Sequence, residues 1–361
     1  MKKPSARFSN LSTAQRERLL GYLEQKPRLG PETVHIDITN NCNLDCITCW
    51  NYAPGLSAPK SAAWKATRME APTFARVLAE VDDAGAERII ISGGGEPFTH
   101  PHIYDFIAAV KARGLALTII TNGTLCDFPR LAELGVDQLL LNISSGSAES
   151  YVRYHPNQPE ETFGELLAGI ASVRGKVAVN MVQVINLLNA HELLAMVDLA
   201  AELGARVSFK YGDTPPGTEV CALPTPRKLA LLAADIPAAA ARAKELGVKH
   251  NLDAFANQVA GTAKAEEAPP CFSGYLYSRV YVDGRVFFCC EHIEVGHMDD
   301  GTFGELWASP GYDKVRQRLH QGQGYPGCAR CGKHDMNFTA NKQLQAMLTE
   351  DAQLVTTSSG R

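Results

Sequence analysis

The chain has 361 residues, with 35 Lys and Arg against 39 Asp and Glu for a formal net charge of −4. That balance, without a long basic run, argues against nucleic acid as the main partner. No stretch nears the ~18 uninterrupted apolar residues of a membrane span, and the basic residues 1–7 precede no apolar segment of secretory type. Ten cysteines in such a chain point to a reducing, cytoplasmic setting and to metal ligation rather than disulfides.

In chain order, Val34, Ile36 and Ile38 alternate along a first strand. It leads into Cys42, Cys46 and Cys49, a C-x3-C-x2-C loop. Three thiolates so spaced suit three corners of an iron–sulfur cluster and leave one iron open to another ligand. Structural zinc wants four ligands, and no His or fourth Cys lies close by. Thr73 can cap a helix in which Phe74, Val77, Leu78 and Val81 recur at i, i+3, i+4 and i+7. The apolar run 89–91 then ends in Ser92-Gly93-Gly94-Gly95-Glu96-Pro97. It reads as a buried parallel strand and a turn whose missing side chains let backbone approach a ligand.

A helix near 103–113 precedes a strand at 117–120 that ends at Thr121-Asn122-Gly123. A strand at 139–143 runs into Ser144-Ser145-Gly146. The strand at 177–185 leads to Asn189, read as a helix cap before Leu193, Leu194, Met196 and Val197. A sixth strand at 207–210 ends at Tyr211-Gly212-Asp213. Six β-then-α units in succession argue for an α/β chain with a parallel barrel, complete or partial. Such barrels place chemistry at the carboxyl ends of their strands, where Lys210 and Asp213 are catalytic candidates.

Residues 264–270 read as a linker to Cys271. Runs at 277–282 and 285–290 flank Asp283-Gly284, the pattern of a hairpin with a type I′ turn, and Cys289 lies near its end. Thr302-Phe303-Gly304-Glu305 opens a helix as a capping box, and Cys328 and Cys331 form a closing C-x2-C. A four-cysteine zinc site is the rival to iron here. Cys126 and Cys221 fit neither set and read as buried structural or surface thiols. His100 and His102 read as a solvated loop, and residues 356–361 as a polar tail.

The cysteine loop followed by Gly-Gly-Gly-Glu-Pro resembles the signature of the radical S-adenosylmethionine (SAM) enzymes, and the resemblance covers roughly residues 33–335. The order Cys, hairpin with G-x4-C, helix, C-x2-C resembles the C-terminal SPASM extension in its shorter "twitch" form. The resemblance implies a partial (β/α)6 TIM-like barrel over 33–250, after an N-terminal extension over 1–32. A linker over 251–270, a small hairpin/helix cluster domain over 271–335 and a C-terminal helix with tail over 336–361 complete the expected organisation.

By the same resemblance, Cys42, Cys46 and Cys49 hold a 4Fe–4S cluster whose open iron binds SAM. Cys271, Cys289, Cys328 and Cys331 hold an auxiliary 4Fe–4S cluster. Gly93, Gly94, Gly95 and Glu96 contact SAM, with Thr121 and Ser144 at its ribose or carboxylate. The family usually has an aromatic residue just before the third cysteine, where Thr48 stands, so Trp50 becomes the candidate to cover the adenine. Cys290 stands where related sulfatase-maturating enzymes have an aspartate regarded as a base, and Glu291 follows it.

The implied activity is that of a radical SAM oxidoreductase. SAM is cleaved reductively to a 5′-deoxyadenosyl radical, and a substrate loses a hydrogen atom and is oxidised through the auxiliary cluster. The layout resembles that of a radical SAM aminocyclitol dehydrogenase, including 17 residues between the first two auxiliary ligands, which favours a small polyol or sugar-like substrate. A flavodoxin- or ferredoxin-type electron donor is implied. Epimerisation of a sugar-like substrate and maturation of a ribosomally made peptide are the alternatives. About thirty residues precede the first strand, fewer than the on the order of 80 of a leader-binding domain. A non-catalytic iron–sulfur electron carrier is the reading from another class, and one with no need for the glycine turn.

Overall fold

The computed structural model describes residues 11–261, 269–289, 293–326, 328 and 333–358. The elements begin with α1 (Thr13–Leu23), β1 (Thr33–Thr39), α2 (Ala62–Ala66), α3 (Ala71–Asp83), β2 (Arg88–Gly93), α4 (Ile103–Ala112) and β3 (Ala116–Thr121). Next come α5 (Phe128–Glu133), β4 (Gln138–Asn142), α6 (Ala148–Tyr154), α7 (Glu161–Ser172), β5 (Ala178–Ile185), α8 (Leu193–Leu203) and β6 (Arg206–Tyr211). Then follow α9 (Thr225–Ala230), α10 (Ile236–Leu246), α11 (Leu252–Ala260) and α12 (Ser273–Leu276). Last come β7 (Tyr277–Val280), β8 (Arg285–Phe287), β9 (Glu294–His297), α13 (Phe303–Trp307), α14 (Pro310–His320) and α15 (His334–Ser358). Two compact units share these elements. One comprises Met1–His35, Pro72–Ile89 and Lys264–Arg361, the other Ile36–Ala71 and Ile90–Ala263.

In the second unit the strand order is β6-β5-β4-β3-β2-β1, and it does not close β6 onto β1. The result is a partial (β/α)6 barrel. Parallel registers such as Ile119↔Leu139, Leu141↔Met181 and Gln183↔Phe209 put equivalent residues of neighbouring strands on one face. That face is fully buried by Leu117, Ile119, Leu139, Leu141, Met181 and Val207. Helices α4 and α8 pack on β3 and β6. Each large apolar side chain so buried contributes about 1.5–3 kcal/mol. The opposite face is only half-buried and more polar, with Asn142, Asn180, Val182 and Val184 along it.

The exposed edge of β6 is covered from within the same unit. Phe209 N donates to Asn251 Oδ1 at 2.7 Å, Asn251 Nδ2 donates to Phe209 O at 3.0 Å, and Tyr211 N donates to Gln258 Oε1 at 3.1 Å. Residues 252–260 are therefore helix α11 rather than the start of a linker. Leu252, Phe255 and Val259 recur at i, i+3 and i+7 and are buried.

In the first unit, β7, β8 and β9 form antiparallel pairs beside the start of β1. A core of Leu19, Tyr22, Phe272, Tyr275, Leu276, Leu344 and Met347 joins α1, α12 and α15. Two guanidinium groups are buried with each nitrogen hydrogen-bonded: Arg18 bonds the carbonyls of Gly30 and Gly85 and pairs with Glu87. Arg316 bonds the carbonyls of Gly274 and Trp307 and pairs with Asp313. The capping box of Thr302 and Glu305 is present.

Three local expectations change. The hairpin turn is not type I′, which needs positive φ at both central residues. Positive φ falls on Gly284 alone (+88°), with Gly284 N bonded to Tyr281 O and Tyr281 N to Arg285 O, a longer loop closed by a glycine bulge. Thr73 lies inside α3, which begins at Ala71. Asn189 does not cap α8 through its side chain, because that amide is used between strands, as described below.

Candidate active site

The residues after β1 leave regular structure and carry Cys42, Cys46 and Cys49, half-buried and in no disulfide. Backbone amides face two of the sulfurs: Leu44 N lies 3.4 Å from Cys42 Sγ and Asn51 N lies 3.4 Å from Cys49 Sγ. Such N–H···S contacts favour the thiolate. Burial works the other way, pushing the Cys42 thiol up to about 12 and Cys46 well above its ordinary value, with the neighbouring cysteines adding negative charge. Two buried thiols that are costly to ionise alone, in a loop that turns backbone amides onto its sulfurs, suit a site in which bound iron supplies the balancing positive charge. This donor set fits an iron–sulfur cluster.

The loop is held from several sides. Glu96 N and Thr99 Oγ1 donate to Asn41 O at 2.7 and 3.0 Å. Asn122 Nδ2 donates to Asn43 Oδ1 at 3.0 Å, and Asn43 Nδ2 to Thr124 Oγ1 at 2.8 Å. Ile47 N donates to Tyr154 O at 3.1 Å.

The glycine turn touches this loop directly. A Cβ on Gly93 would overlap Thr39 O, and one on Gly95 would overlap Asn41 O. A Cβ on Gly94 would meet Asn40 Oδ1 and the tip of the Trp64 ring. None of the three has positive φ, so close approach and not backbone conformation requires glycine. The space read from sequence as room for a ligand is taken, at Gly93 and Gly95, by the chain's own backbone. Asn51 Nδ2 also donates to Gly94 O at 2.9 Å.

Glu96 is buried and accepts from Thr121 Oγ1 (2.6 Å), Asn122 N (2.7 Å) and Phe98 N (3.1 Å). Burial pushes its carboxyl up to about 7 against the pull of those donors. The Thr121 hydroxyl is committed to Glu96 and also accepts from Gly123 N at 2.9 Å, tying the ends of β2 and β3 together. Ser144 is fully buried at φ +52°, a left-handed conformation that costs a non-glycine residue on the order of 1–3 kcal/mol. Its hydroxyl donates to Asn142 Oδ1 and accepts from Val184 N at 3.0 Å, while Asn189 Nδ2 donates to its carbonyl at 2.7 Å. These bonds hold the strained residue at the carboxyl end of β4.

Thr48 is buried with its hydroxyl bonded to that of Tyr154, whereas Trp50 is 55% exposed. Trp64, over Gly94, and the pair Tyr151 and Tyr154 beside the cysteine loop are aromatic neighbours that sequence reasoning missed. Tyr151, Tyr154 and His155 stand at i, i+3 and i+4, which is the one local signal available. Lys210 and Asp213 are both exposed, at the end of β6 and just after it.

In the other unit, Cys271 immediately precedes the Phe272–Leu276 turn, where Phe272 N donates to Asn337 Oδ1 at 2.8 Å. Burial, and then the charge of Cys271, push up the phenol of Tyr22, and burial pushes that of Tyr275 up to about 12. Cys289 follows β8, and Tyr325 N lies 3.3 Å from Cys328 Sγ. Cys331, Cys290 and Glu291 lie outside the described residues. Among those described, no helix is long and apolar enough to cross a membrane.

Residues 36–203 match the radical SAM superfamily, and residues 271–332 match SPASM, an iron–sulfur cluster-binding domain. The chain thus belongs to the radical SAM superfamily, with SAM and two iron–sulfur clusters as cofactors. More particularly, it is 29% identical over 193 residues to the AdoMet-dependent heme synthase of Methanosarcina barkeri, 52% of either chain. It therefore spans about half the length of that relative. It is 24% identical over 300 residues to the PqqA peptide cyclase of Gluconobacter oxydans, 79% of either chain. Streptococcus suis SuiB bound to the precursor peptide SuiA shares the fold, with a TM-score of 0.61 at 16% identity over 83% of this chain and 70% of that one.

Proposed function

We propose that this protein is a radical SAM enzyme that oxidises an unactivated C–H bond of its substrate. Cys42, Cys46 and Cys49 hold the SAM-binding cluster in this reading, and Cys271, Cys289, Cys328 and Cys331 hold the auxiliary one. When bound, these groups supply a 5′-deoxyadenosyl radical for hydrogen-atom abstraction and a second cluster as electron acceptor. The observation that carries the reading is the docking of the glycine turn onto the cysteine loop through Asn41, Asn51 and Gly94. It makes one rigid cradle from two motifs far apart in sequence. Amides at Leu44 and Asn51 offset thiolate charge there. The half-buried polar face with Asn142 and Asn180 offers a substrate surface at the barrel interior.

A peptide substrate is supported by the PqqA peptide cyclase match over 79% of either chain. A small polyol is the second reading, supported by the 17-residue spacing between Cys271 and Cys289. The test is anaerobic reconstitution, SAM and dithionite, with release of 5′-deoxyadenosine as readout. A short peptide encoded beside this gene, or a panel of aminocyclitols, is then supplied as substrate. Loss of two hydrogens from either class identifies the substrate and the oxidation. Deuterium uptake from heavy water without a two-electron change indicates epimerisation instead, with Cys290 and Glu291 as the groups to vary. Stoichiometric zinc with little iron would overturn the whole reading.

A further inference from the structure

The sheet leaves β6 unpaired with β1, yet the loops that follow these two strands meet. The loop after β6 starts at Gly212, whose N donates to Ile185 O at 2.9 Å, and returns at Cys221, whose O accepts from Leu187 N at 3.0 Å. Both of its ends are thus anchored beside the carboxyl end of β5, and residues 213–220 form a compact loop with neighbouring ends. Its tip, Pro216-Gly217, lies against Gly55 and Ser57 in the segment that follows Cys49. Loops therefore bridge the mouth that the strands leave open between β6 and β1.

This loop is stiff within itself. Pro215 and Pro216 have fixed φ, and Thr218 N and Oγ1 both donate to Pro215 O, at 2.9 and 2.8 Å. Both carboxylate oxygens of Glu219 accept from Gly217 N at 3.0 Å, and Cys221 N donates to Thr218 O at 2.9 Å. The seam at its tip is thin by comparison. Among the described residues one backbone hydrogen bond crosses it, from Ser57 N to Pro216 O at 2.9 Å.

The remainder of the seam is the close approach of two glycines. A Cβ on Gly217 would overlap Gly55 O, and one on Gly55 would stand 2.6 Å from Gly217 O. Gly217 also has φ +97°, whereas Gly55 has no positive φ, so at position 55 the seam alone requires glycine. Beyond the seam, Leu56 N donates to Ala53 O and Ala53 N to Cys49 O, each at 3.2 Å, so the tip rests on a segment tied to the third cysteine. One backbone hydrogen bond favours the closed seam by only roughly 2–12-fold, whereas unfolding the loop breaks several bonds together.

We propose that residues 213–220 are a lid that swings as one body about its anchors at Gly212 and Cys221. It opens at the seam with Gly55 and Ser57 and so admits substrate to the half-buried polar face of the barrel. Closed, it keeps water and small reductants from the reacting groups. The opening stands on the geometry alone; the admission of substrate rests on the function proposed above.

The test is residue-resolved hydrogen exchange on the anaerobically reconstituted full chain. The Ser57 amide is expected to show only about 2–12-fold protection, with the amides of Thr218 and Cys221 protected far more. Gly55→Ala is expected to remove the protection of Ser57, leave that of Thr218 and Cys221, and keep its iron. Its dithionite-driven release of 5′-deoxyadenosine without substrate should rise by up to the same factor, because the lid no longer closes. A Ser57 amide as slow to exchange as those of β1 and β6 would overturn the proposal, since the seam would then open only on unfolding. So would loss of protection at Thr218 and Cys221 together with Ser57, which is melting of the loop and not a swing. Unchanged release in Gly55→Ala with Ser57 unprotected would refute the gating role. If Gly55→Ala does not fold, exchange in the parent chain still decides whether the seam opens. Failure of the underlying function looks different: neither protein would release 5′-deoxyadenosine, with the exchange pattern intact.

Discussion

Gly95→Ala tests most directly how the two motifs are joined. The added methyl would overlap Asn41 O, which already accepts from Glu96 N and Thr99 Oγ1. Backbone cannot rotate away as a side chain can. Restoring van der Waals contact requires roughly 1 Å of displacement between turn and loop. That strains packing by about 1–3 kcal/mol and disturbs hydrogen bonds whose loss in a buried site costs about 1–3 kcal/mol more. The total is of order 2–5 kcal/mol, delivered one residue from Cys42. The expected outcome after anaerobic reconstitution is loss of about half the iron, with the rest retained by the other unit, and a lowered melting temperature. Gly94→Ala is the paired control, because the atoms nearest its methyl belong to the side chains of Asn40 and Trp64, which can move. That variant should keep its iron, and Gly94→Asp should keep iron while suppressing release of 5′-deoxyadenosine. Full iron in Gly95→Ala, or equal loss in both alanine variants, would refute the claim that backbone contact with the loop requires glycine.

Replacing Cys42, Cys46 and Cys49 together by Ala should leave about half the iron and abolish SAM cleavage, checked by iron assay and chromatography. Gly164→Ala should raise stability by roughly 0.5–1 kcal/mol, because that exposed position inside α7 has nothing within 4 Å of an added Cβ; chemical denaturation measures it. Burial of His155 pulls its pKa from 6.5 to about 4, so the native state holds fewer protons than the unfolded chain between those values. Its contribution, at most ~3 kcal/mol, is therefore present above pH 6.5 and is lost as pH falls towards 4. Denaturation of the apoprotein across pH 4–7 should show a shallower fall in His155→Gln than in the parent chain.

Much of this protein is written locally. The spacing of Cys42, Cys46 and Cys49, the glycine run, six strands alternating with helices and the Thr302–Glu305 box each depend on neighbours a few residues apart, where periodicity and ligand spacing act. Errors of local reading arose where one pattern serves two geometries, as at Asp283-Gly284, where the single positive φ of Gly284 makes a bulged loop. Residues 252–260 fold as a helix because β6 ends the sheet and needs Asn251 and Gln258 to cover its edge, a requirement visible only once the strand order is known. The partners of the site are tertiary facts of the same kind. Parallel register brings Thr121 to Glu96, and Asn189 to Ser144, across 25 and 45 positions of sequence. Sequence therefore determined which groups this chain carries and where along each strand they stand. Which partners they are spent on, Thr121 on Glu96 and Ser144 on Asn142 and Val184, only the packing of strand ends decided, because burial forces each polar group to find its partner in space.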